Sequence, residues 1–236
     1  SAGCFLLLAV LMATSMACAP TEGEVPVLVF AAASLADALG DVEAEFESVS
    51  RTRVDISFGG SQMLAQQIAS GAPADVFISA GQAPVDFLVD KDLVASGTGF
   101  LTNRLVLAVN DGLQIEISSL AQLESDEIER VAVADPDLAP AGGYAKQALL
   151  QLGLWESLEA KLIMGPDVRT TLAYVETGNA DVALVYATDA VVAEGVVVAD
   201  VVPAGSYDRA VYPSAVIATT ENRDAAEEFL SFLRGD

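Results

Sequence analysis

Val27-Leu28-Val29-Phe30-Ala31-Ala32-Ala33-Ser34-Leu35 decides how the rest of the chain is read. An apolar run of strand length ends in small residues, and a hydroxyl residue then stands where a helical pattern begins. Residues 27–32 read as a strand and 35–48 as a helix, with Ser34 placed to N-cap it. The plan recurs at once, with a strand over 53–58, a helix over 62–70 and a buried strand over 75–79. Farther along, 104–109, 130–134, 182–186 and 196–202 read as strands, with helices near 141–152 and 168–176. This succession predicts an α/β protein whose sheets are mainly parallel and flanked by helices. Gly97-Thr98-Gly99 marks the approach to a boundary between two lobes.

In open parallel sheets ligands bind beyond the carboxyl ends of the strands, so the strand-to-helix junctions are where chemistry is expected. Four stand out: Phe30-Ala31-Ala32-Ala33-Ser34, Phe58-Gly59-Gly60-Ser61, the run from Asp135 through Pro140-Ala141-Gly142-Gly143 to Tyr144, and Gly165-Pro166-Asp167-Val168-Arg169. Each offers unpaired N–H groups at the positive end of a helix, a ready anion site. A serine at such a place also serves as a simple cap, and Asp167 could satisfy its own helix's donors. Neither G-x-G-x-x-G nor G-x-x-x-x-G-K-[ST] occurs, and the elbow G-x-S-x-G is absent.

Composition narrows the function further. The 236 residues are 53% hydrophobic and 19% charged, enough apolar material for one large domain or two small ones. Eleven Lys+Arg against 34 Asp+Glu leave a net charge of −23, which makes nucleic acid a poor partner. Histidine is absent, which excludes a Ser-His-Asp triad, a Cys-His pair and an H-E-x-x-H zinc site. A secreted serine enzyme built on Ser34 or Ser61 would have to take Lys91, Lys146 or Lys161 as its base.

Both cysteines, Cys4 and Cys18, lie in the N-terminal segment. Its apolar run over 4–13 is shorter than the ~20 residues that span a bilayer and reads as the core of a secretory signal. No initiator Met or basic segment precedes it, so the start of the chain reads as missing. Ser15-Met16-Ala17-Cys18 resembles a bacterial lipobox, in which Cys18 becomes the acylated first residue, although Ser15 replaces the usual Leu and also suits ordinary signal peptidase. The expectation is a signal over 1–17, a lipidated tether over 18–26, and export to the periplasm or the outer face of the cytoplasmic membrane.

The junctions together resemble the molybdate-binding substrate-binding proteins of ABC transporters. The resemblance covers about 27–232 and rests on Val29-Phe30-Ala31-Ala32-Ala33-Ser34-Leu35, the run from Gly71-Ala72-Pro73-Ala74-Asp75 to Ala80, Pro140-Ala141-Gly142 with Tyr144-Ala145-Lys146, Asp167-Val168-Arg169, and Val185-Tyr186. It implies a two-lobed periplasmic-binding-protein fold, with lobe 1 formed by 27–105 and 212–236, lobe 2 by 106–211, and the ligand between them. It implies no enzymatic activity and no cofactor. The implied ligand is molybdate or tungstate, held by hydrogen bonds from Ser34, Ser61, Ala141, Val168 and Tyr186 rather than by direct coordination to the metal. The implied partners are a membrane-embedded permease and, through Cys18, the membrane, with the protein itself a monomer. Tyr186 enters on the resemblance alone, since its residue pattern is that of the core-facing end of a strand. The glycines before Ser61 replace the Ala and Ser frequent in relatives. The family usually adds a helix after the segment matching 225–233, so an end at Asp236 reads as a truncated or short variant. Sulfate or phosphate remains the alternative ligand.

Overall fold

Two five-stranded sheets carry the chain. The computed structural model describes residues 25–113 and 117–235; the signal segment, Cys18 and most of the tether lie outside the described residues. β1 (Val27–Ala32) passes through a 3-10 turn (Ala33–Leu35) into α1 (Ala36–Ser50), followed by β2 (Val54–Gly59), α2 (Ser61–Ala69), β3 (Val76–Ile78) and α3 (Gln82–Val89). β4 (Thr98–Asn103) and β5 (Leu105–Asn110) are parted by Arg104 alone. Then come β6 (Val131–Ala134), α4 (Pro140–Gln151), the short α5 (Trp155–Leu158), β7 (Leu162–Gly165) and α6 (Val168–Glu176). β8 (Val182–Tyr186), α7 (Ala187–Val192), β9 (Val196–Val201), β10 (Ala210–Val216) and α8 (Arg223–Arg234) complete the chain.

Strand order is β2-β1-β3-β10-β4 in the first sheet and β7-β6-β8-β5-β9 in the second. The chain therefore leaves the first sheet at Arg104 and re-enters it at Ala210. This is a helix-flanked α/β fold in two lobes. The sheets, expected to be mainly parallel, are mixed: β1 pairs in parallel with β2 and β3, and β6 with β7 and β8, while β10 and β5 are antiparallel to both of their neighbours. The cause is the crossing itself. Strands that carry the chain between lobes take their direction from the journey and not from a local βαβ unit, so they run against the strands beside them.

Alternation along β1 divides the first lobe's core. Val27, Val29 and Ala31 pack with Leu39 and Phe46 of α1 and Phe229 of α8, while Phe30 on the opposite face joins Leu64, Ile68, Phe77 and Val85. Phe46 meets Phe229 edge to face at 5.2 Å. α8 buries Ala226, Phe229 and Leu230, the i, i+3, i+4 stripe of an amphipathic helix, and ends at Gly235 in the left-handed conformation. In the second lobe β6 and β8 are wholly buried beneath α4 and α6. No helix among the described residues is long and apolar enough to cross a membrane.

Candidate functional site

The carboxyl ends of β1, β2, β3, β6, β7 and β8 all turn toward one small cavity between the lobes. Its free volume is about 10 Å³, and it is lined from the first lobe by Ser34, Gly60, Ser61 and Ala80, and from the second by Ala141, Asp167, Val168 and Tyr186. Sites for drug-sized ligands run to about 300–1,000 Å³, so this one suits an ion of a few heavy atoms. All five residues singled out in the sequence line it. None of the three candidate base lysines does: Lys91 stands over the Phe87 ring, Lys146 over the Trp155 ring, and Lys161 donates to the carbonyls of Leu123, Glu124 and Ser125.

The helix starts around the cavity differ from the expected caps in an instructive way. Ser34 does not cap α1; it sits within the 3-10 turn, and its Oγ lies 3.0 Å from the Tyr212 hydroxyl. Ser61 is the first residue of α2, not its cap, and its Oγ accepts a 3.1 Å hydrogen bond from the Ala80 N–H. Both hydroxyls are thus positioned by tertiary contacts, and the ordinary capping role is removed from both. At α4 the first residue is Pro140, which has no N–H, and Gly142 already donates to the Ala139 carbonyl at 3.0 Å. The Ala141 N–H is the donor left over at that helix end. α6 is the one start with a side-chain cap: Asp167 Oδ1 accepts from the Thr170 N–H at 2.9 Å and Oδ2 from its hydroxyl at 3.0 Å. The third N–H is satisfied in this way, while that of Val168 has no acceptor in the helix. Asp167 also brings a carboxylate to the wall of a site whose matched residues contain none.

Tyr186 is both a core residue and a cavity residue. It is fully buried, its ring 6.0 Å from that of Tyr212, and its hydroxyl reaches the Ala80 carbonyl at 3.4 Å. Burial raises the hydroxyl's pKa well above the usual value, and the surrounding tyrosines and Asp189 add to the rise, so it remains a donor at any physiological pH. Ala80 was missed in the sequence. Its N–H steadies Ser61 and its carbonyl meets Tyr186 across the lobes, and the only local sign of this was the small-residue end of the strand over 75–79.

The lobes touch around the cavity. Met63 N–H donates to the Leu138 carbonyl and Gln62 Nε2 to the Pro136 carbonyl, both at 3.2 Å. The arrangement can surround a small anion with N–H and O–H donors from two bodies. No group of three or more metal-ligating side chains occurs among the described residues.

Residues 27–236 match the family described as bacterial extracellular solute-binding protein. The chain belongs to this family. Among its relatives, the molybdate-binding protein ModA of Escherichia coli K12 is 39% identical over 220 residues, covering 91% of this chain and 84% of that protein. YvgL of Bacillus subtilis 168, named as an ABC transporter substrate-binding lipoprotein, is 36% identical over 219 residues, covering 92% and 84%. The solved periplasmic molybdate-binding protein of Azotobacter vinelandii superposes with a TM-score of 0.80 over 89% of this chain and 93% of that one; at 23% identity this bears on the fold. A bacterial extracellular solute-binding protein works outside the cytoplasm and is not an enzyme.

Proposed function

We propose that this solute-binding protein captures molybdate, with tungstate as co-ligand, and hands it to the permease of an ABC transporter. The observation that carries the reading is the convergence of neutral donors from both lobes, the hydroxyls of Ser34, Ser61 and Tyr186 and the N–H groups of Ala141 and Val168, on a cavity of about 10 Å³. The name of the 39% identical relative supports the choice of ion. Hydrogen bonds to a charged partner contribute roughly 1.5–3 kcal/mol each, so a shell of five or more can offset much of the ion's dehydration. Lobe 1, 27–105 with 212–236, and lobe 2, 106–211, close on the ion and complete the shell. The working unit is a monomer. Cys18 carries the lipid that tethers it to the outer face of the membrane, and the mass of the mature N-terminus tests this: an unmodified Cys18 removes the anchor.

Calorimetric titration with a panel of oxyanions tests the ligand. Molybdate and tungstate compete for a single site. Sulfate, smaller, leaves several hydrogen bonds too long, and phosphate brings a proton for which the carboxylate on the cavity wall, Asp167, has each oxygen already accepting once from Thr170. Both should bind at least tenfold more weakly, about 1.4 kcal/mol; binding within tenfold replaces this reading with that of a general oxyanion carrier. In the same titration Ser34→Ala and Ser61→Ala each weaken molybdate by about 1.5–3 kcal/mol. A variant that loses thermal stability with unchanged affinity would return its serine to a purely structural role.

A further inference from the structure

Arg169 follows Val168 at the start of α6, yet its side chain does not enter the cavity. It turns to two carboxylates on different elements. Its Nη2 pairs with Asp37 Oδ2, in the first turn of α1, and its Nε lies 2.9 Å from Asp189 Oδ1, in the first turn of α7. Asp189 is fully buried, and neither of its oxygens has an aligned hydrogen-bond donor. Arg169 is the only cation within ion-pair reach of it among the described residues. The Asp37 contact crosses from lobe 2 to lobe 1 and joins the two segments that carry Val168 and Ser34, each within three residues of the pair.

We propose that Arg169 is a positioning residue for ligand capture: aimed by the buried Asp189, it clamps the Val168 end of the site to the Ser34 end through Asp37 and holds the lobes shut without touching the ion. This rests on the oxyanion reading of the cavity. The guanidinium is suited to the task because its planar fork meets two carboxylates at once in a fixed geometry, which a lysine's single ammonium cannot reproduce. The clamp's effect falls on release. Opening must separate Arg169 from Asp37, whereas an ion entering open lobes meets no such contact, so the dissociation rate changes more than the association rate.

The experiment is stopped-flow and equilibrium binding of molybdate, followed by intrinsic fluorescence, on the full chain and on Asp37→Ala, Asp37→Glu, Arg169→Ala, Arg169→Lys and the Asp37→Ala/Arg169→Ala double variant. Asp37 is exposed and its partner only partly so, which places the expected effect of Asp37→Ala at about two- to fivefold, carried by faster dissociation. Asp37→Glu restores most of it. Arg169→Ala and Arg169→Lys raise the dissociation constant more, roughly tenfold, since Asp189 then loses its partner as well. In the double variant the two losses do not multiply, because the second removal finds the pair already broken. Multiplying losses, or a dissociation rate unchanged in Asp37→Ala, overturn the clamp while leaving molybdate capture standing. If Arg169→Ala fails to fold, Asp37→Ala against Asp37→Glu still decides. Failure of the unaltered protein to bind molybdate defeats the oxyanion reading and the clamp with it.

Discussion

Gly60→Ala should abolish tight binding while leaving a folded protein. Gly60 has φ −66° and ψ 131°, which an alanine adopts without strain, so neither lobe's backbone depends on the glycine. What forbids a side chain there is the other lobe: a Cβ would stand 2.3 Å from the Leu138 carbonyl oxygen and 2.7 Å from that of Pro166. Backbone carbonyls cannot swing aside as a flexible side chain would, and overpacking at such a contact costs up to about 3 kcal/mol or more. That cost falls only on closed lobes, so the dissociation constant should rise about a hundredfold or more. Unliganded Gly60→Ala, by contrast, keeps its urea midpoint or gains slightly, through a less flexible unfolded chain. Gly142→Ala is the control. Its Cβ would stand 2.0 Å from the Ala134 carbonyl oxygen of the same lobe, so this variant should lose stability with or without ligand. Wild-type affinity in Gly60→Ala would mean that binding does not bring these two loops together.

The second large effect is a pH dependence of stability centred on Asp189. Burial pushes its pKa from 3.8 up to about 7; Arg169 opposes the rise and Asp167 adds to it. The folded protein thus keeps a proton that the unfolded chain releases near pH 3.8. Folding takes up a proton between those values, so the contribution is whole below the lower one and is lost as pH rises to the upper. At about 1.4 kcal/mol per pH unit the loss is on the order of 4 kcal/mol. The other carboxylates titrate in both proteins, so the difference in unfolding free energy between wild type and Asp189→Asn isolates this group. That difference should move in favour of the variant as pH rises from about 4 to 7 and then level off. A difference independent of pH would show that Asp189 is ionised throughout.

Much of this molecule was legible in its residues, and the illegible parts share a cause. β1, β8 and α6 have the bounds that periodicity predicted, since each is a clean apolar or amphipathic segment between turn residues. β4 was not foreseen, because Thr98–Asn103 is an edge strand with no residue fully buried, and β7 is likewise an edge strand, in which only Gly165 is buried. At the site, local sequence singled out four junctions that line one cavity but misjudged how their serines are held. A hydroxyl before a helix looks like a cap from its neighbours alone, whereas Ser34 meets Tyr212, 178 positions away, and Ser61 meets Ala80, 19 away. The pairing of Arg169 with Asp37 left no local trace either, since two charged residues at helix starts read as ordinary solvated positions.

The two places where the backbone passes between the sheets, at Arg104 and between Val201 and Ala210, also govern how the protein moves. Two pivots fix a line, and bodies joined at both can swing about that line but are hindered in sliding or twisting past one another. The first pivot is stiffened by Asn103, whose Nδ2 donates to Thr188 and to the Tyr212 hydroxyl. Motion so confined works like a door on its hinges: every approach of the far edges brings the same loops to the same place. An arriving ion therefore has a single mechanical coordinate to bias, and little of its binding free energy is dispersed into other displacements.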